Sequence, residues 1–131
     1  MGQVTPEQPL AGAGMRITTP AFAVVTLTAL DGQALEESRS LLVTACGRCE
    51  NTGMGFAADR RTVGKKWGEA PVRIEAVTGT VTLPPGDWQA WALHPDGQLA
   101  APVPVTGKAG GEKEIELAPR CLTMWYLLKR N

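Results

Sequence analysis

Apolar residues in this chain come in short runs of four to nine, broken about every ten residues by Gly, Pro or Asp-Gly, and helical spacing is nearly absent. Met15–Thr18 reads as a short strand stopped by Thr19-Pro20, and Phe22–Leu30 (FAVVTLTAL) as a stronger one stopped by Asp31-Gly32. After the more polar Gln33–Ser38, Ser40–Cys49 forms the next strand, with Leu42, Thr44 and Cys46 on one side and Leu41, Val43 and Ala45 on the other. Apolar character on both sides predicts a central strand. Phe56–Lys66 (FAADRRTVGKK) lacks alternation and is strongly basic, which predicts a long exposed loop.

Further along, Val72–Ala76 and Gly79–Leu83 are β-like, and Pro84-Pro85-Gly86 makes a turn into the strand Trp88–Leu93. His94-Pro95-Asp96-Gly97 is another turn. Gln98–Val105 continues as an edge strand, because its prolines cannot donate to a ladder. Glu114–Leu117 and Thr123–Leu128 complete about eight short strands, a spacing that predicts an all-β antiparallel β-sandwich of jelly-roll or immunoglobulin-like type. A barrel is the alternative. Residues 15–131 are expected to form a single β-sandwich domain, preceded by a flexible linker over residues 1–14.

Composition narrows the classes of function. The content of 44% hydrophobic residues in 131 suits one buried core, and 15 Gly with 10 Pro fit a turn-rich β protein. Thirteen basic residues against thirteen acidic ones leave no net field for a nucleic-acid backbone or an anionic membrane, so neither is an expected partner. No run approaches the eighteen or so apolar residues of a membrane span, and the first fourteen residues lack the basic start and apolar core of a signal peptide.

The densest candidate chemistry lies in Leu41–Met54 (LLVTACGRCENTGM), where an apolar strand runs into a polar cluster. Three readings compete: a redox or metal Cys-x-x-Cys, a binding or catalytic group made by Arg48, Glu50 and Asn51, or a structural corner. On an extended strand, Cys46 and Cys49 would point to opposite faces roughly 10 Å apart, too far for a disulfide. A bulge at Gly47 would change that. Only Cys121 and His94 remain as further soft ligands, so no second pair at zinc spacing exists.

Glycoside hydrolysis needs two carboxyl groups across a cleft; Glu36, Glu37, Glu50, Glu69 and Glu75 are available, but in no motif. With one histidine, beside a proline, a nucleophile-histidine pair has little support, and no Gly-rich phosphate loop precedes a helix. The chain is therefore not expected to be an enzyme or to need a cofactor; a structural Ca²⁺ is not indicated.

Four of the seven aromatic residues are tryptophans. Alternation puts Trp88 with Ala90 and Ala92, and Trp91 with Leu93 on the opposite face. Trp88, at a strand start near a sheet rim, either offers a flat face to a sugar ring or covers the end of the core. Trp67 is a loop anchor or a binding platform, and Trp125 and Tyr126 point to opposite faces, one toward the core. Arg48, Glu50 and Asn51 can satisfy turn backbone, with Arg48 paired to Glu37 or Glu50, or can hydrogen-bond sugar hydroxyls.

The order of motifs resembles a known group: Thr-Pro-x-Phe-Ala-x-Val (Thr19–Val25), Leu-Asp-Gly (Leu30–Gly32), Glu-Ser-Arg (Glu37–Arg39), LLVTA (Leu41–Ala45), Gly-Arg-x-Glu-Asn-Thr-Gly-Met (Gly47–Met54), Trp-Gly-x-Ala-Pro-Val (Trp67–Val72), Glu-x-Val-x-Gly-Thr-Val-Thr-Leu (Glu75–Leu83), Ala-Leu-x-Pro-Asp-Gly (Ala92–Gly97) and Met-Trp-Tyr (Met124–Tyr126). Over about residues 15–128 it resembles the C-terminal β-sandwich accessory domain of large bacterial glycoside hydrolases. In that group Cys46 and Cys49 would stand in place of small apolar residues, Trp67 and Trp125 match recurrent positions, and Trp88 falls where the pattern is loose.

The resemblance implies a secreted or periplasmic enzyme of which this is one part, with a catalytic glycoside hydrolase domain as partner in the same chain. Two functions are expected from it. One is a non-catalytic carbohydrate-binding module that holds a polysaccharide or oligosaccharide, a β-linked glucan, through Trp88, Trp67, Trp125 and Tyr126 with Arg48, Glu50 and Asn51 around them. The other is a purely structural sandwich that packs on the catalytic barrel.

Overall fold

The computed structural model describes residues 14–118 and 121–131. The expected linker lies outside the described residues, except that Gly14 already opens the first strand. Eleven strands follow in order: β1 (Gly14–Thr19), β2 (Val24–Ala29), β3 (Ser40–Cys46), β4 (Cys49–Thr52), β5 (Glu69–Ile74), β6 (Thr78–Leu83), β7 (Trp88–Leu93), β8 (Leu99–Val103), β9 (Val105–Gly107), β10 (Lys113–Leu117) and β11 (Trp125–Arg130).

Nine of them build two antiparallel sheets packed as a sandwich, ordered β1-β6-β10-β9 and β2-β3-β11-β7-β8. β4 and β5 pair only with each other, as a two-stranded ribbon.

Strict alternation builds the core. In β3, Leu41, Val43 and Ala45 turn inward; in β6, Val81 and Leu83 do; Ile115 and Leu117 of β10 and Tyr126 and Leu128 of β11 complete the layer between the sheets. Each buried Val, Leu or Ile side chain contributes about 1.5–3 kcal/mol. β3 lies between β2 and β11, the central place its sequence predicts.

Three expectations change at strand ends. The run Ser40–Cys49 is not one strand: it ends at Cys46, and Cys49 starts the ribbon. Gln98–Val105 divides at Pro104, so β8 forms an edge of the five-stranded sheet while β9 crosses to the edge of the other. Val72–Ala76 contributes to the ribbon and not to the sandwich.

The loop between β2 and β3 is tied by Asp31. Its carboxylate accepts from the Arg39 amide at 2.7 Å and the Ser38 hydroxyl at 2.8 Å, and the oxygen of Ser38, fully buried, accepts in turn from the Ser40 amide at 3.2 Å. The Arg39 amide first, then the Ser38 hydroxyl, hold the Asp31 carboxyl below its ordinary value.

Candidate functional site

The ribbon leaves the sandwich at Gly47, a buried residue whose amide donates to the Glu75 carbonyl at 3.2 Å, while the Glu75 amide donates to the Arg48 carbonyl at 2.8 Å. A Cβ at position 47 would come 2.7 Å from the Glu75 carbonyl oxygen, so this root closes only around glycine. Beyond it, Cys49 pairs with Ile74, Glu50 with Arg73 and Asn51 with Val72.

Directly opposed residues share a face. The ribbon therefore has one face carrying Cys49, Asn51, Val72 and Ile74, and a second carrying Glu50 and Arg73, with Arg48 and Glu75 next along the strands. Every residue of β5 is exposed.

The far end of the ribbon is shaped by side chains and one special backbone position. Asn51 donates from its amide to the Trp67 carbonyl at 2.9 Å, and the Thr52 hydroxyl donates to the Pro71 carbonyl at 2.8 Å. Gly68 holds a φ of 73°, and a Cβ there would meet the Thr52 carbonyl oxygen at 2.5 Å and the Met54 nitrogen at 2.7 Å. Trp67 is thus fixed by its backbone and remains 62% exposed.

The loop 55–68 returns Arg60 to the charged face, where it forms an ion pair with Glu50 and stands 4.3 Å from the centre of the Phe56 ring. Arg48, Glu50, Asn51, Gly53, Met54, Arg60, Arg73, Ile74 and Glu75 together line an open groove of about 470 Å³. Four of the seven expected ligand residues, Trp67, Arg48, Glu50 and Asn51, therefore meet at the ribbon. The expected pairing of Arg48 with Glu37 or Glu50 is not made; Glu50 takes Arg60 instead.

The other three separate. Trp88 is 4% exposed, its indole N–H donates to the Pro84 carbonyl at 2.7 Å, and the Arg130 guanidinium lies 5.2 Å from its ring centre. It covers the end of the core, and the sugar-platform reading of Trp88 is corrected: the small Ala90 and Ala92 beside it leave an inward space that the indole fills. Tyr126 is also buried, its hydroxyl accepting from the Ala118 amide at 3.1 Å and donating to the Cys121 carbonyl at 3.4 Å. Burial raises the Tyr126 pKa above its ordinary value.

Trp125 points outward from β11. On the outer face of the five-stranded sheet, one row reads Thr26, Thr44, Trp125 and the next Thr28, Leu42, Leu127, Trp91, Pro102, with Leu93 two places beyond Trp91 along β7. Leu42, Trp91, Leu93, Trp125 and Leu127 each keep partial exposure, and none packs on the core. Trp91 and Trp125 are diagonal neighbours, within reach of each other's rings.

Cys46, Cys49 and Cys121 are free thiols. Cys46 and Cys49 belong to different sheets, so the Cys-x-x-Cys spans the break between strands. Among the described residues no three His, Cys, Asp or Glu side chains converge as a metal site. Of the five candidate carboxylates, Glu50 and Glu75 line one hollow together.

Sequence reading missed Arg73, which alternation along Val72–Ala76 could have placed on one face with the candidate carboxylate Glu75, and Arg60, for which no local signal exists. No family model, curated protein or solved structure matches the chain, which stands as an all-β protein of two antiparallel sheets with no family identified.

Proposed function

We propose that this chain is a non-catalytic accessory module of a secreted or periplasmic polysaccharide-degrading glycoside hydrolase, and that it packs on the catalytic domain through the outer face of its five-stranded sheet. The observation that carries the reading is that face: two tryptophans and three leucines in adjacent rows, partly exposed and outside the core. A contiguous apolar patch with tryptophans at its centre is the composition of a protein interface. The partner's class is taken from the resemblance in motif order, and the recurrent Trp125 stands on this surface while Trp88, where the pattern is loose, is core.

The experiment is co-elution of the isolated module with the catalytic domain of the same polypeptide. Wild type should co-elute, and Trp91→Ala or Leu127→Glu should separate the two with circular dichroism unchanged. Equal co-elution by these variants would remove the surface from the reading.

A second reading, carbohydrate binding, is favoured by a different observation: an exposed Trp67 tied through its carbonyl to Asn51, on the same ribbon as the polar groove. An indole face stacks on a sugar ring while amide, carboxylate and guanidinium groups take its hydroxyls. Trp67→Ala should then abolish retardation in an affinity gel containing soluble β-glucan; unchanged retardation would count against it.

A further inference from the structure

We infer that the ribbon groove takes a carboxylated sugar, a uronic acid unit of a polysaccharide, with Arg48 and Arg73 holding its carboxylate. The inference rests on the carbohydrate-binding reading and is independent of docking through the sheet face. Three guanidinium groups and two carboxylates line the groove. Arg60 is committed, being ion-paired to Glu50, seated against Phe56 and held at a φ of 55°, a conformation uncommon outside glycine and asparagine.

Arg48 and Arg73 form no ion pair among the described residues. The Glu75 carboxylate receives only the Arg48 backbone amide, at 3.4 Å. The groove therefore presents two guanidinium forks without a carboxylate partner, together with a carboxylate able to take hydroxyl donors.

That combination selects the ligand chemistry. A neutral glucan would leave both forks paired only with hydroxyls, whereas a guanidinium fork matches a carboxylate through two parallel bonds. A polyphosphate would face Glu50 and Glu75 across the same hollow. A uronic acid unit carries both a carboxylate for the arginines and hydroxyl donors for Glu75. The volume of about 470 Å³ lies within the roughly 300–1,000 Å³ of small-ligand clefts.

The test compares two matched tetrasaccharides by titration calorimetry, one of β-1,4-linked glucose and one of β-1,4-linked glucuronic acid, which differ at C6 alone. The acidic sugar should bind at least about tenfold more tightly, the difference should shrink at high salt, and Arg73→Gln or Arg48→Gln should erase it. Lys65→Gln, at an exposed loop position outside the groove, should leave it intact. Equal binding of the two sugars, or a preference for the neutral one, overturns the carboxylate inference and leaves carbohydrate binding standing. Binding of neither overturns both, and an acidic preference untouched by Arg48→Gln and Arg73→Gln overturns the assignment of the site.

Discussion

Replacing Gly68 with alanine separates the ribbon from the sandwich in a single change. At a φ of 73° a side chain costs about 1–2 kcal/mol in backbone strain. The new Cβ would also lie 2.5 Å from the Thr52 carbonyl oxygen and 2.7 Å from the Met54 nitrogen. Both are backbone atoms, and crowding of this kind costs a further 1–3 kcal/mol, roughly.

Against that stand the bonds that hold the ribbon end, chiefly Asn51 to the Trp67 carbonyl and Thr52 to the Pro71 carbonyl, each contributing about 1 kcal/mol net. The strain exceeds the restraint, so the ribbon end opens while the sandwich persists. Opening caps the loss of global stability at about 2 kcal/mol, a fall in Tm of less than roughly 10 °C.

Hydrogen exchange reads the outcome directly. The amides of Met54 and Gly55, bonded to the Asn51 and Lys66 carbonyls at 3.1 and 2.9 Å, should lose protection, while those of β3 and β11 keep it. Loss of protection in β3 or β11, or unchanged protection at Met54 and Gly55, would refute the view of the ribbon as a separately shaped appendage.

Two further predictions concern the core and the loop beside it. Tyr126→Phe leaves the buried Ala118 amide without its acceptor and should cost about 1–3 kcal/mol in denaturant unfolding. Because the folded pKa of Tyr126 is raised, the unfolded chain loses this proton first, and wild-type stability should fall as pH rises through about 10, a dependence that Tyr126→Phe reduces. Asp31 has the opposite sign: its lowered folded pKa gives a contribution present above about pH 4 and lost as pH falls through the folded value. Asp31→Asn should lower Tm at neutral pH and flatten the acid limb of a Tm-against-pH series; a parallel acid limb would count against the Asp31 contacts.

The strand pattern was legible because alternation is strong where one face meets the core, as in Leu41–Ala45 and Gly79–Leu83. It was ambiguous in Trp88–Leu93. There both faces are apolar, and alternation sorts Trp88 from Trp91 without saying which is inside; packing decides, the small Ala90 and Ala92 admitting the indole of Trp88. The same two-sided character in β3 came from an inner core face and an outer apolar face, and pointed correctly to a central strand while concealing the surface patch.

Arg48, Glu50 and Asn51 were visible as a cluster, but their groove is completed by Arg73 and Glu75 through the β4–β5 register and by Arg60 through a loop return. Those are pairings between distant segments, which no local pattern encodes. The ribbon's protrusion has the same origin, since it depends on Gly47 meeting Glu75 across 28 positions of sequence.

The proposed docking through the sheet face is tested most directly by tryptophan emission during titration with the glycoside hydrolase catalytic domain proposed as its partner. In a Trp67→Phe background, Trp91 and Trp125 are the partly exposed indoles and Trp88 is buried. The account predicts a saturable blue shift that Leu127→Glu abolishes; emission that stays constant while the two domains associate would contradict it.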